Sequence, residues 1–201
     1  MGSENSVGAG NQQERLSSEE AKRWFLAGVV EGEGSVCVAI VRQPTRPLGF
    51  QVRPEFFIYQ HRLRRELLEM AKEYFGAGTI RPKPGNEQVL VYSILSMRMI
   101  RERVVPFLVR YMRFSARRAD LDKFLAVVRL FEAGLHHTAH GLAAIVEIAY
   151  SMNGDGKQRR RPMTEVIDRI LRGHTPDALG QGEEMVRPPW RHGELGGIKT
   201  T

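Results

Sequence analysis

The sequence predicts an α+β fold in which helices cover one face of an antiparallel sheet and leave the other face free. The first observation is that segments rich in β-branched and aromatic residues come in pairs. The second is that apolar stripes with helical spacing lie before, between and after those pairs. Paired strands with helices between them favour antiparallel pairing and one covered face. At 201 residues the chain is long enough for one domain of ordinary size.

The first element is a helix that begins near Ser17 or Ser18 and ends at Gly32 or Gly34. Either serine is a favoured N-cap residue, and two glutamates follow in the first turn, where negative charge stabilises a helix. Residues 35–41, which are dense in β-branched side chains, then form the first strand.

The second strand is predicted over residues 50–59, and a helix over residues 62–75 follows it. Pro54 lies inside that strand and indicates an edge, a bulge or a misplaced boundary. Gly76 and Gly78 end the helix.

A hairpin and several helices complete the predicted order. Residues 79–81 and 89–94 form the hairpin around a Pro- and Gly-containing turn. Ser96 caps a helix that ends before Pro106, and a short helical turn continues from there. Three more helices are predicted over residues 116–133, 142–152 and 163–171.

The two termini are predicted to lie outside the folded unit. Residues 1–16 are expected to be flexible, residues 17–172 to form a single domain, and residues 173–201 to be a loose tail without periodicity. No secretory signal and no apolar run of membrane-spanning length is present. The single cysteine, Cys37, excludes an internal disulfide, so we expect a reducing, intracellular setting.

Net charge indicates the class of partner. Thirty Lys and Arg residues against 23 Asp and Glu residues give a formal charge of +7, and arginine predominates. Solvated helix faces explain part of this charge, but an arginine-rich excess favours a phosphate backbone as partner. The arginines cluster in two regions, one made of Arg98, Arg101, Arg103, Arg110, Arg113, Arg117 and Arg118, and the other of Arg159, Arg160 and Arg161.

The end of the first helix carries two features that folding alone does not explain. Ala27 and Gly28 are adjacent in the middle of the helix, where glycine costs about 1 kcal/mol relative to alanine. Such small residues permit the close approach of a second helix. Glu31 and Glu33 lie at the C-terminal end, where the helix dipole disfavours negative charge, so they are placed to meet a cation.

Residues 26–34, LAGVVEGEG, resemble the LAGLIDADG signature of homing endonucleases. Four residues are identical to the signature and four are conservative replacements, while Gly32 replaces the alanine. The resemblance extends over about residues 20–171, because the predicted element order matches the αββαββα core of that family, with extra C-terminal helices. It implies a site-specific endonuclease that cleaves both strands of DNA and depends on Mg²⁺ or Mn²⁺.

The resemblance also implies a homodimer on a long, pseudo-palindromic site, because the chain has one signature. The best second candidate, residues 124–126 followed by residues 132–134, lacks the glycine, the acid spacing and the following strand, so it is predicted to be a core helix. A two-fold axis would then pair the signature helices of two protomers. The predicted interface residues are Leu26, Ala27, Gly28, Val30 and Glu31.

Within the resemblance, the last acid of the signature, Glu33, is the metal ligand, and Gly32 contributes its backbone carbonyl. Carboxylate and carbonyl oxygens suit a hard divalent cation. Glu31 is expected to be a structural cap and not a ligand. The alternative reading is that Glu33 is an exposed acid in a glycine-rich turn.

Three more residues carry over by their position in the pattern. Gln60 matches a glutamine that positions water near the metal, and Arg64 matches a basic residue of the same solvent pocket. Arg117 matches a basic residue of the catalytic pocket, and neighbouring Arg118 is a further candidate that is expected to contact DNA. An arginine at a helix start also commonly binds phosphate or solvent.

The free sheet face is expected to read double-stranded DNA in the major groove, where arginine and lysine pair with guanine and glutamine with adenine. Val36, Val38 and Ile40 are predicted to face the core, which leaves alternate positions outward. A one-residue slip in register would invert the set. The candidate DNA contacts are Gln43, Gln51, Arg53, Arg81, Lys83 and Tyr92.

Two other readings remain open. One is a non-cleaving nucleic-acid binder of the same fold, either an intron maturase or a transcription regulator, but Glu33 is present and no helix-turn-helix domain is apparent. The other is an unrelated basic α+β module, which leaves the small-residue pair and the two acids unexplained. The expected partners are DNA and a second copy of the chain, with no membrane and no small-molecule substrate.

Overall fold

The computed structural model describes residues 17–152, 154 and 161–172. The flexible N-terminus predicted over residues 1–16 and the loose tail predicted over residues 173–201 lie outside the described residues. Of the second arginine cluster, only Arg161 is described.

The chain forms a helix, two strands, a helix, two strands and then a series of helices, which confirms the predicted α+β order. The first half contains α1 (Ser18–Glu33), β1 (Gly34–Arg42), β2 (Phe50–His61), a 3₁₀ turn (Arg62–Arg64), α2 (Arg65–Phe75), β3 (Thr79–Lys83) and β4 (Asn86–Ile94). The second half contains α3 (Met97–Met99), a π-helical turn (Ile100–Val104), α4 (Val105–Tyr111), α5 (Arg118–Glu132), a 3₁₀ turn (Leu135–His137), α6 (Ala139–Tyr150) and α7 (Met163–Leu171).

The four strands make one antiparallel sheet in the order β1-β2-β4-β3. Gly34 of β1 pairs with Ile58 of β2, and Phe56 of β2 pairs with Ile94 of β4. The two hairpins therefore meet along β2 and β4, and this register decides which side chains share a face.

Helices cover one face of this sheet. Val36, Val38 and Ile40 face the helices and belong to the main hydrophobic core, as the alternation predicts. Alternate residues of β2 and β4 join them, together with apolar residues from α1, α2 and α4 to α7. Phe75 and Phe107 lie in contact at the centre of this layer, with ring centroids 5.3 Å apart. Phe124 of α5 is fully buried, which confirms that the second signature candidate is a core helix.

The opposite face of the sheet is less open than predicted. Cys37, Phe57 and Val91 form a second buried cluster there, with Tyr59 packed against it. The expectation of a free face is therefore wrong at its centre, because apolar residues of neighbouring strands pack against one another there.

Both internal prolines are accommodated by local geometry. Pro54 lies opposite Val38 in β2, but β4 pairs with β2 only from Phe56 onward, so this part of β2 is an edge and tolerates a missing N–H. Pro106 lies in the first turn of α4, directly after the π-helical turn. None of the helices in the described part of the chain is long and apolar enough to cross a membrane.

Candidate active site

The candidate active site is built on the C-terminal end of α1. Ser17 accepts a hydrogen bond from the backbone N–H of Glu20 at 3.1 Å and starts the helix, which ends at Glu33. A side chain at position 34 would place its Cβ 2.5 Å from the carbonyl oxygen of Val30. Only glycine therefore permits the direct passage from α1 into β1, and this passage leaves Glu33 exposed at the junction.

Arg117, at the start of α5, holds this end of α1. Its guanidinium donates hydrogen bonds to the carbonyl oxygens of Val30 at 2.8 Å, Glu31 at 2.7 Å and Gly34 at 2.5 Å. A cation at a helix C-terminus satisfies carbonyls that have no partner within the helix and also favours the helix dipole. Its three acceptors do not include Gly32, the residue whose carbonyl is the predicted metal ligand.

Glu31 makes a second connection to the same segment. Its Oε1 accepts a hydrogen bond from the backbone N–H of Ala116 at 3.1 Å, whereas its Oε2 is buried without a hydrogen-bond partner among the described residues. The side chain therefore points toward the α5 connection and serves as a structural cap there. Glu33 makes no such contact in the described part of the chain and has an exposed side chain.

The end of β2 reaches the same place. Gly34 and Ile58 form the last β1–β2 pair, so Gln60 lies two residues beyond it on β2, at the end of the sheet where α1 joins β1. Gln60 is buried, and its Oε1 accepts a hydrogen bond from the N–H of His61 at 2.9 Å. The fold thus brings Gln60 and Arg117 to the end of α1 that carries Glu33.

Arg64 lies farther along the chain, in the exposed 3₁₀ turn that follows β2. Arg118, the other basic candidate, is on the first turn of α5 and pairs with Asp122 at 2.7 Å on the surface.

The outward face of α1 differs from the predicted interface. Leu26, Ala27 and Val30 are buried within their own protomer, so the prediction that they contact a second copy is wrong. These three residues face the core, whereas Gly28 lies on a different side of α1, because each residue of a helix is rotated by about 100° from the one before. The exposed residues of α1 are Ser18, Glu19, Ala21, Lys22, Trp24, Phe25, Gly28, Gly32 and Glu33.

No contact in the described part of the chain explains the two exposed glycines of α1. A Cβ added at Gly28 or at Gly32 would meet no atom within 4 Å in the described structure. Both residues are helical, and neither has a positive φ. Gly28 and Gly32 are four residues apart, so they form a smooth strip along α1 next to the exposed ring of Phe25.

The candidate DNA contacts separate into two groups. Gln51, Arg53 and Arg81 have the parity of the second sheet face, and Arg81 is exposed. Gln43 follows directly after β1 and is half-buried, with a buried Oε1 that lacks a hydrogen-bond partner in the part of the chain that the structure describes.

Two of the predicted contacts are wrong. Tyr92 has core parity, is fully buried and donates a hydrogen bond to the carbonyl of Ala77 at 2.7 Å. This burial also raises the pKa of its hydroxyl. Lys83 has the outward parity but is buried at the end of β3, with its ammonium 6.0 Å from the ring centre of Tyr59. Neither side chain is available to a duplex on this face.

The arginines of α3, the π-helical turn and α4 lie in the helical layer and not on the sheet. Arg98 and Arg101 both pair with Glu102, and Arg110 pairs with Glu20. Part of the basic excess is therefore neutralised locally by these ion pairs.

One residue of the sheet face was missed by the sequence reasoning. Glu55 is fully buried and pairs with Arg53 at 2.6 Å. The available signal was its position two residues after Arg53, which puts the acid and the base on the same face of a strand.

Comparisons with known proteins agree with this geometry. A family model described as LAGLIDADG endonuclease matches residues 26–128, just over half of the chain. DNA endonuclease I-CeuI of Chlamydomonas moewusii is 32% identical over 128 residues, which are 62% of this chain and 59% of that protein. Homing endonuclease I-ApeII of Aeropyrum pernix is 31% identical over 86 residues, 43% of this chain and 50% of the relative. The matched region thus spans less than two thirds of these relatives' own length.

Two solved structures share the architecture. Group I intron-encoded homing endonuclease I-CeuI, complexed with DNA, superposes with a TM-score of 0.70 and 28% identity, over 79% of each chain. The archaeal intron-encoded homing endonuclease I-Vdi141I, also complexed with DNA, gives a TM-score of 0.71 and 27% identity, over 77% of this chain and 98% of that one. The signature at the end of α1, the αββαββ order and these matches together show that the chain belongs to the LAGLIDADG endonuclease family.

Proposed function

We propose that the chain is a site-specific endonuclease that cleaves both strands of DNA as a homodimer and requires a divalent cation. The observation that carries this proposal is the placement of Glu33. It is an exposed acid at the C-terminal end of a helix, where the helix dipole alone would disfavour it, and an arginine from another helix anchors the turn just before it.

The homodimer is supported by the exposed strip of Gly28 and Gly32. Glycine in a helix costs about 1 kcal/mol relative to alanine, and no contact among the described residues requires a glycine at either position. Close packing against a second α1 gives a reason for both, and a two-fold axis along this strip brings the two Glu33 residues near each other. The interface proposed from the structure is therefore made of Phe25, Gly28, Gly32 and neighbouring exposed residues.

The residues at the junction fit a hard divalent cation. The Glu33 carboxylate and the Gly32 carbonyl are the oxygen donors that Mg²⁺ or Mn²⁺ prefers. Within the described residues, no group of three or more His, Cys, Asp and Glu side chains lies together, so the remaining ligands would be water, DNA phosphate or the second protomer's acid. When bound, such an ion neutralises charge on the phosphate and makes a bound water more acidic.

The other residues of the junction orient and hold groups around that position. Gln60 has its Oε1 fixed by the N–H of His61, which leaves its amide group as a donor to a water. Arg64 is exposed and is placed to bind a phosphate. Arg117 acts by holding α1 in place, since its guanidinium donors go to three backbone carbonyls. It is therefore a positioning residue in this proposal.

The strands supply sequence recognition in the major groove, with Gln51, Arg53 and Arg81 as the principal readers. Arg81 of β3 pairs with Val91 of β4, and Val91 pairs in turn with Tyr59 of β2, so these three residues lie side by side across the sheet. Arg53 lies six residues from Tyr59 along β2. Six residues of strand span about 20 Å, so the two arginines read separated positions within each half-site. Because the substrate is genomic DNA, we expect an intracellular setting.

The deciding experiment is a cleavage selection from a randomised duplex library, with Mg²⁺ in one arm and EDTA in the other. The purified chain should cut a long site with related halves, and only with the metal. Binding of a related site without cleavage in Mg²⁺ or Mn²⁺ would instead identify a non-cleaving binder of the same fold. Cleaved sites without any two-fold relation would contradict the homodimer.

A further inference from the structure

We propose that Glu55 is a positioning residue that fixes Arg53 for reading one guanine in each half-site. This inference rests on the proposed function, since it assumes that the second sheet face contacts DNA. It assigns a role to Glu55, an acid that is buried beneath the second sheet face, which is the face expected to approach the negatively charged DNA.

The contacts between the two side chains are specific. The Oε1 of Glu55 accepts hydrogen bonds from the Nε of Arg53 at 2.9 Å and from its Nη2 at 2.6 Å. Nε and Nη2 lie on the same edge of the planar guanidinium, so one edge is committed to the acid. On the other side of the carboxylate, the thiol of Cys37 donates to Oε2 at 3.7 Å, from the strand position directly opposite Glu55.

The remaining edge of Arg53 is available. Its Nη1 and the second hydrogen of its Nη2 have no further partner among the described residues, and 34% of its side chain is exposed. These two groups form the fork that pairs with the O6 and N7 of guanine. Across the strand pair, Arg53 lies opposite Ala39, whose small side chain leaves the space beside the guanidinium open.

The burial of Glu55 explains how the ion pair prepares Arg53 to contact a base. A buried carboxylate requires a charged or hydrogen-bonding partner, and an unpaired acid here would repel the DNA backbone. With Arg53 bound, the acid has its partner and the arginine loses rotamer freedom before it meets DNA. A pre-oriented fork has less entropy to lose on binding and is more selective for the geometry it matches.

Arg81 provides an internal comparison. It is exposed on the same face of the sheet and forms no ion pair within the described part of the chain. Without a fixed orientation, Arg81 can contact either a base or a phosphate. We therefore expect Arg53 to set the sharper base preference of the two.

The test is a binding selection with the full chain in EDTA, which separates base preference from cleavage. The variants are Glu55→Gln, Arg53→Ala, Arg53→Lys and the double variant Glu55→Gln with Arg53→Ala, and Glu87→Gln on β4 is the control. Wild type should prefer guanine at one position in both halves. Arg53→Ala should abolish that preference, and Arg53→Lys should weaken it because lysine lacks the planar fork. Glu55→Gln should reduce it about tenfold while other positions keep theirs.

The double variant should be no less selective than Arg53→Ala alone, because Glu55 acts through Arg53. Thermal melting of each variant checks the fold, and Arg53→Lys keeps a cation beside Glu55 if Glu55→Gln fails to fold. An unchanged guanine preference in Glu55→Gln, or an equal loss at every position, overturns the inference. If wild type selects no sequence at all, the proposed function fails with it. A different result would refute only the role of Glu55. In that case wild type binds selectively and cleaves in Mg²⁺, but Glu55→Gln does not change the guanine preference.

Discussion

Two hydrogen bonds connect Glu31, at the end of α1, to the segment that contains Arg117. The Arg117 guanidinium donates to the Glu31 carbonyl at 2.7 Å, and the Glu31 carboxylate accepts from the backbone N–H of Ala116, the residue before Arg117, at 3.1 Å. The helix that carries Glu33 and the loop that enters α5 therefore hold each other. This arrangement explains why the first acid of the signature has a structural role, whereas the last acid remains exposed.

Replacing Arg117 with alanine should reduce both stability and cleavage. The variant leaves three carbonyls at the end of α1 without their charged donor, and we expect a loss of about 2 kcal/mol in the free energy of unfolding. Urea unfolding measures this loss. Arg118→Ala is the matched control, because its exposed pair with Asp122 should contribute less than about 1 kcal/mol. Equal stabilities for the two variants would refute the capping role.

Replacing Glu33 with glutamine should abolish cleavage and leave DNA affinity within about threefold, since the change removes the proposed metal ligand but no proposed DNA-reading residue. Glu132→Gln, at an exposed position on the far end of α5, is the control and should cut normally. The measurement is nicking of a selected site in Mg²⁺, with affinity measured separately in EDTA. Normal nicking by Glu33→Gln would exclude Glu33 as the metal ligand.

Gly28 should have opposite effects on the protomer and on the dimer. Gly28→Ala should raise helix stability by up to about 1 kcal/mol, because no atom of residues 17–152, 154 and 161–172 lies within 4 Å of the added Cβ. The same methyl group, and more strongly the side chain of Gly28→Leu, should weaken self-association. Sedimentation equilibrium separates the effects, with Lys72→Leu on exposed α2 as the control. A Gly28→Leu variant that dimerises like wild type would argue against this interface.

Arg118 should contribute to affinity without changing base preference. It lies at the start of α5 next to the candidate site, so it is placed to contact a phosphate. Arg118→Ala should then reduce the slope of log affinity against log salt concentration by about 1. Arg98→Ala, in the helical layer and paired with Glu102, should leave the slope unchanged. Equal slopes for wild type and Arg118→Ala would show that Arg118 does not contact DNA.

His136 should make the fold less stable in mild acid. Its ring stacks on Phe131 with centroids 4.3 Å apart, in a cavity of about 220 Å³ that Arg46 and Leu142 also line. Burial, followed by the neighbouring His137, lowers the pKa of His136 from its ordinary value of 6.5. The unfolded chain therefore takes up the proton more readily, so this contribution is complete above about pH 6.5 and is lost as the pH falls below it.

The measurement is the urea midpoint at pH 7.5 and pH 5.5 for wild type and for His136→Leu. The variant should show a smaller change between the two pH values. His140→Leu, at an exposed position on α6, should retain the wild-type change. The same pH dependence in all three proteins would contradict the assignment to His136.

Local patterns predicted the elements well. Ser17 caps α1, Gly76 ends α2 with a left-handed φ of 62°, and α7 covers the predicted residues 163–171. These features depend on neighbours in the chain, such as a side-chain oxygen at a cap or a glycine at a positive φ. For the same reason the signature at the end of α1 could be read without any tertiary information.

Side-chain placement was less predictable, because it depends on register and on which helical face meets the core. Tyr92 and Arg53 are both polar residues on strands. The pairing of β2 with β4 and β1 places Tyr92 in the core and Arg53 on the opposite face, beside Glu55. Leu26 and Gly28 are two residues apart, but one is buried and the other is exposed.

The sequence by itself determined the order of the elements, the family signature and the acid that ends α1, because each is encoded by residues close together in the chain. The tertiary structure decided which face of α1 is left for a partner, that Arg117 from α5 caps α1, and that Glu55 holds Arg53. These relationships join residues that are far apart in the chain or depend on strand parity, and a single step of register would reverse the strand faces. The packed core, together with the turns that join the strands, fixes that register.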